Sequence, residues 1–216
     1  GEGEAVDWVV VMARFDQDTL FDRMAQRGAL TIPLMEALAD AIAAFHAAAE
    51  PKPETDIAAA MQATIEGNAG SLRNWIGQLF AANAIDEVDK RCMRLLDIAT
   101  PLLGERARGG FVRHCHGDLH LRNICLVDGK PTLFDCIEFK DSFAIIDVLY
   151  DLSFLLMDLE HRGLRREANV VLNRYLSRTG DYGGLGALQL YLCARAEIRA
   201  HVSAAMAAAQ DDAART

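Results

Sequence analysis

Near residue 120 the chain abandons helical periodicity, and that switch constrains its fold more than any other feature. His116-Gly117-Asp118-Leu119-His120-Leu121-Arg122-Asn123 leads into two apolar, β-like runs, Ile124-Cys125-Leu126-Val127 and Thr132-Leu133-Phe134, separated by Asp128-Gly129-Lys130-Pro131. Asp-Gly between such runs is a strong hairpin signal, because both central positions of a type I′ turn need positive φ. A hairpin over 124–136 projects Asn123 from the start of one strand and Asp135 from the end of the other toward one side. Two oxygen ligands twelve residues apart can then share a metal ion. Magnesium suits such a pair, since it takes a few carboxylate or amide oxygens together with phosphate oxygens. Asp118, five residues before Asn123, is placed to act as a base beside a hydroxyl substrate.

The remainder of the chain reads mostly as helix. Asp18-Thr19-Leu20-Phe21-Asp22-Arg23-Met24 suggests a short helix ending near Gly28. Thr31 can cap a longer one with Pro33 in its first turn, and Leu34, Leu38, Ile42 and Phe45 recur at helical spacing until Pro51-Lys52-Pro53. Two helical segments are expected over 56–66 and 71–82, joined at Gly67-Asn68-Ala69-Gly70, then another over 85–106 before Gly109-Gly110. A long apolar helix opens near Asp147 and runs to about Arg162, and the Ala-rich stretch from Ala200 reads as a terminal helix. Near the start, Val6-Asp7-Trp8-Val9-Val10-Val11-Met12 is a short β-branched run, which by itself reads as a buried edge strand.

Composition narrows the function. With 216 residues, half of them apolar, the chain can bury one substantial core. The formal net charge is −9 with no basic stripe, which argues against nucleic-acid binding, since that relies on Lys and Arg to displace phosphate counterions. No apolar run approaches the roughly 18–20 residues needed to span a bilayer. Five cysteines (Cys92, Cys115, Cys125, Cys136 and Cys193) form no Cys-x-x-Cys. Cys115, Cys125 and Cys136 lie near His114, His116 and His120, but their spacing fits no standard zinc pattern. Reduced thiols in a cytosolic (cytoplasmic) protein are the better reading.

The Asp118–Asn123 spacing equals that of the protein-kinase catalytic loop, with His116-Gly117-Asp118 standing where those enzymes carry His-Arg-Asp. Together with Phe134-Asp135 it makes the chain resemble the aminoglycoside phosphotransferase family, whose loop reads His-Gly-Asp-Leu-His-x-x-Asn with a later Ile/Phe-Asp. Residues 116–123, 134–139 and 150–162 are similar to a bacterial branch of that family often fused to a P-loop ATPase domain. The resemblance runs from about Val6 to the C-terminus, although Leu121-Arg122 stands where many members carry Pro-Gly. It implies a predominantly helical α+β fold: a kinase-like C-lobe over 16–216, with catalytic loop 116–123 and metal-ligand hairpin 124–136. Residues 1–15 are then a remnant last N-lobe strand and hinge, with Met12, Ala13 and Phe15 at the adenine of ATP or GTP. The phosphate-covering lobe with its lysine, and any Gly-x-x-x-x-Gly-Lys-Ser/Thr, have no counterpart before Asp118, so the chain is expected to be a detached lobe, inactive alone.

The resemblance also implies roles. Asp118 is the base that orients or deprotonates an acceptor hydroxyl, and Asn123 and Asp135 hold Mg²⁺ on the nucleotide phosphates. Asp151, in Tyr150-Asp151-Leu152, bonds the catalytic-loop backbone from beneath, with Asp147 a competitor for that task or a helix N-cap. His116 reads as a structural loop histidine, while His120 is open between supporting the loop and touching substrate or phosphate. Arg122 reads as pairing with a surface acid, and Glu138, Asp158 and Glu160 as surface charges. The expected activity is transfer of a nucleotide γ-phosphate to a hydroxyl of a small molecule. A non-catalytic kinase-like binding or regulatory module is the alternative, and a metal-dependent phosphohydrolase a weaker third.

Overall fold

A computed structural model of the chain describes residues 16–215. The expected strand at 6–12 and the hinge residues Met12, Ala13 and Phe15 lie outside the described residues. Within them the molecule is predominantly helical with two small antiparallel sheets. After a 3₁₀ turn at Gln17–Thr19 come α1 (Phe21–Gln26), α2 (Ile32–Ala48), α3 (Ile57–Arg73), α4 (Ala82–Arg108) and β1 (Val112–His114). A 3₁₀ turn at Leu121–Asn123 leads into β2 (Ile124–Val127) and β3 (Lys130–Leu133). Next follow α5 (Asp141–Ala144), β4 (Ile145–Asp147), α6 (Val148–His161), α7 (Arg165–Thr179), a 3₁₀ turn at Tyr182–Gly184, and α8 (Leu185–Arg215).

The hairpin forms in the register its turn dictates. Ile124 faces Leu133 and Val127 faces Lys130, and Asp128 and Gly129 take φ of 50° and 74°. Both turn residues are thus left-handed, as a type I′ turn requires. The second sheet brings sequence-distant pieces together: β1 pairs with β4, Val112 opposite Asp147 and His114 opposite Ile145. These two ladders bracket the 115–123 loop.

Helix α6 is the axis of the molecule. Every residue from Val148 to Leu159 is buried, the expected state of a helix that is apolar nearly all round. Helix α7 packs on α6 and α2, while α8 runs against α3, α4 and α6. Asp147 caps α6 by accepting from Leu149 N at 2.8 Å. The same carboxylate and Asp181 grip Arg106 of α4 through four hydrogen bonds of 2.6 to 2.9 Å.

One expected helix break is absent. Helix α3 runs straight through Gly67-Asn68-Ala69-Gly70 and ends at Arg73, while 74–81 is non-helical. Two interior glycines cost about 1 kcal/mol each relative to alanine. Packing outweighs this, because Met61, Ile65, Asn68, Ala69 and Leu72 are all buried on one continuous face. Asn68 adds bonds to Ala194 O and Glu197 Oε2 on α8. No described helix is long and apolar enough to cross a membrane.

Candidate functional site

The 115–123 loop is fixed from below by two buried carboxylates of α6. Asp151, fully buried, accepts from His116 N at 3.1 Å and Gly117 N at 2.9 Å. Its Oδ2 also receives His46 Nε2 at 3.1 Å. Since a carboxylate can only accept, Nε2 carries the imidazole proton, and Nδ1 accepts from Tyr175 Oη at 2.8 Å. This Tyr175–His46–Asp151 chain holds the loop from α7 and α2. Burial pushes the Asp151 carboxyl upward, but the hydrogen bond from His46 and the charge of Arg195 outweigh it and hold the group below the usual carboxylate range.

Asp158 is the second anchor, and here the sequence reading is corrected. It is not a solvated charge but is 1% exposed. Its carboxylate accepts from Leu121 N at 3.2 Å, Arg162 Nε at 3.2 Å and Arg199 Nη1 at 2.7 Å. The signal available in the sequence was the uninterrupted apolar run around it: in a helix buried on all sides, an acid has no solvent face. Glu160 is exposed, as expected, and so is Glu138.

Above these anchors the candidate residues converge. Gly117 has φ of 82°, and a Cβ there would lie 2.8 Å from Phe143 O, so no side chain fits. His116 is buried and donates Nε2–H to Phe134 O at 2.9 Å, leaving Nδ1 to face Asp118 N at 3.4 Å. Ile137 N donates to His116 O, and Phe134 N to Asn123 O. The segment following the hairpin is thereby strapped to the loop. Asn123, buried, donates its amide hydrogens to Asp118 O and Asp118 Oδ2, each at 3.0 Å. His120 Nε2 lies 3.4 Å from the same Oδ2, and its ring meets Phe154 edge-on at 5.2 Å between centroids. Burial pushes the Asp118 carboxyl up, yet the bond and charge of His120, the Asn123 amide and the charge of Arg195 prevail, so it titrates below its usual range. At neutral pH it is an anion.

The donor set suits a hard cation. The amide hydrogens of Asn123 are committed to Asp118, which leaves its carbonyl oxygen as the free ligand atom. Asp135 presents an exposed carboxylate on a residue with φ of 60°. A non-glycine residue held there is uncommon and marks a place where the surroundings dictate the backbone. Asn123 and Asp135 follow from one register, through the Ile124–Leu133 pair and the Phe134 N bond to Asn123 O.

The zinc alternative finds no assembly of Cys115, Cys125 and Cys136. Among the described residues, His46, Cys115 and Asp151 do bring ligand atoms within 4.8 Å of one another. Their polar atoms are otherwise engaged, however, with Cys115 Sγ directed at Ile146 O. Burial, then the charges of Asp151 and Asp147, push that thiol well above its usual value. The trio is a hydrogen-bonded foundation for the loop.

Beside Asp118 opens a cavity of about 680 Å³, walled by α3, α6, α8 and the loop that carries Gly117, Asp118 and His120. Its size is that of a small-molecule site. Arg122 reaches its edge and pairs with Asp22 at 3.5 Å, the surface-acid contact rather than a free phosphate ligand.

The chain is similar in sequence to known proteins. The model of the phosphotransferase enzyme family (APH) matches residues 8–190. An uncharacterized protein of Mycobacterium tuberculosis and one of Mycobacterium bovis are each 29% identical over 197 residues, covering 90% of this chain. The chain spans 40% of the length of these relatives.

Proposed function

The chain belongs to the phosphotransferase enzyme family, and from that premise we propose that it carries the acceptor-activating part of a small-molecule kinase, which moves the γ-phosphoryl group of ATP or GTP to a hydroxyl. The observation that carries this reading is Asp118: an ionised carboxylate, clamped by Asn123 and His120, at the wall of a ligand-sized cavity. Phosphoryl transfer asks the protein mainly for positioning and charge neutralisation, and the loop is built for positioning.

In the proposed reaction the substrate hydroxyl donates a hydrogen bond to Asp118, which aims the oxygen at the γ-phosphorus. A new P–O bond forms there as the bond to the β–γ bridging oxygen breaks. The nucleoside diphosphate leaves with that electron pair, and the hydroxyl proton passes to Asp118 and then to water. A lowered pKa makes Asp118 a weak base, so its main contribution is orientation, with the proton moving late. Mg²⁺, held by Asn123 and Asp135, would neutralise phosphate charge. Asp151, Asp158 and His116 act through the loop, and His120 steadies Asp118. The kinase C-lobe assignment, the adenine contacts of Met12, Ala13 and Phe15, a nucleotide-covering lobe and a fused P-loop ATPase domain belong to the same proposal.

The test is Asp118→Asn in the full-length protein. Transfer should fall by about 10²- to 10⁴-fold while nucleotide binding, followed by calorimetry, stays within a factor of a few. Undiminished turnover would remove Asp118 from the mechanism.

A further inference from the structure

Four arginines (Arg122, Arg162, Arg195 and Arg199) and two aspartates (Asp118 and Asp158) line the cavity. This positive surplus sits in a chain whose formal net charge is −9, so it is a local arrangement rather than a consequence of composition. Three of the arginines have carboxylate partners, shared between Asp158 and Asp22. Arg199 and Arg162 bond Asp158 at 2.7 and 3.2 Å, and Arg162 and Arg122 approach Asp22 at 3.1 and 3.5 Å.

Arg195 is different. It is 5% exposed, its Nε donates to Tyr150 O at 3.3 Å, and its guanidinium lies 3.9 Å from the Tyr150 ring centroid and 4.6 Å from that of Phe154. Its Nη2 is buried without a hydrogen-bond partner, and its charge reaches Asp118 and Asp151 without a direct side-chain hydrogen bond to either. Two aromatic faces soften a buried cation but accept no N–H in the plane of the fork. A buried guanidinium with an open donor is costly to keep in a free protein and well suited to a planar or tetrahedral oxyanion. Asp158 is already engaged by Leu121 N, Arg162 and Arg199, and Asp118 faces the reacting hydroxyl.

We propose that the cavity takes a small hydroxylated acid, its carboxylate or phosphate group on Arg195 and its hydroxyl toward Asp118. This names the acceptor class of the transfer proposed above and rests on that reading. A polycationic acceptor would meet the charge of Arg195.

Calorimetry on the full-length protein tests it, with D-glycerate and glycerol 3-phosphate as anionic probes and choline and glucosamine as cationic ones. At least one anion should bind, more tightly than either cation. Arg195→Met should weaken that anion at least tenfold in a variant that still unfolds cooperatively. Arg195→Lys, which keeps the charge, should retain an intermediate affinity and serves if the methionine variant does not fold. Tighter binding of a cation, no binding of either anion at millimolar concentration, or undiminished anion affinity in a folded variant overturns the assignment. Magnesium-dependent ADP release, read in parallel, separates the two ideas. Anions that bind through Arg195 without stimulating release uphold the site and sink the transfer reading. Release stimulated by cations alone does the reverse.

Discussion

Asp118 and Asp151 are carboxylates held below the ordinary range, yet their surroundings give them opposite tasks. The Asp118 side chain is 37% exposed, and its open side faces the cavity. Asp151 has no exposure and spends its oxygens on two backbone amides and His46. Asp151→Asn replaces an acceptor by a donor against one of those partners, so stability should drop by about 2 kcal/mol. Transfer should fall with it, while nucleotide affinity is kept, because the adenine site is not part of this loop. The pH dependence has a definite sign. The folded-state pKa of Asp151 lies below its unfolded value, so its stabilising contribution is present above about pH 4 and lost as pH falls through the lower folded value. Urea unfolding between pH 6 and pH 3 should show a shallower acid loss in the variant. An unchanged acid limb would mean that Asp151 does not anchor the loop electrostatically.

At the scale of elements, the site depends on a tight loop pinned between two short ladders. Gly117→Ala tests this without altering charge. The new methyl would meet Phe143 O at 2.8 Å and Ile137 Cδ1 at 3.0 Å, on a backbone with φ of 82°. The expected cost is about 2 kcal/mol, with transfer reduced more than the global loss of stability explains. Denaturant midpoints together with turnover separate the two effects, and a variant of wild-type turnover would show that loop placement is slack. The hairpin was legible in the sequence because turn chemistry is local: Asp128-Gly129 needs only its own φ angles. Helix α3 was not, because its continuity through two glycines comes from the face it buries against α4 and α8.

Across the whole molecule, Arg106 ties α4 to the start of α6 and to the segment before α8 through Asp147 and Asp181. All three groups are buried, and a Cβ at Gly184 would run into the Arg106 guanidinium, so the knot is also tightly packed. Arg106→Met should destabilise by about 3–5 kcal/mol, since it strands two buried carboxylates. Adding Asp147→Asn and Asp181→Asn should recover part of that loss in chemical denaturation. A single variant of wild-type stability would show that the carboxylates find other partners.

The sequence alone determined the catalytic-loop motif, the hairpin, the long apolar α6 helix and the family, while the strand register and the choice of Asp147 as the α6 cap came with the structure. The motif, hairpin, helix and family rest on near neighbours in the chain, through turn φ angles, apolar runs or motif spacing. Only the tertiary structure decided that Asp158 is a buried anchor, that His46 and Tyr175 stand behind Asp151, and that Arg195 lies buried beside Asp118 with an open Nη2. Those relations join residues 37 to 129 positions apart. A charged side chain in a helical sequence reads as solvated until packing decides which faces lose their water.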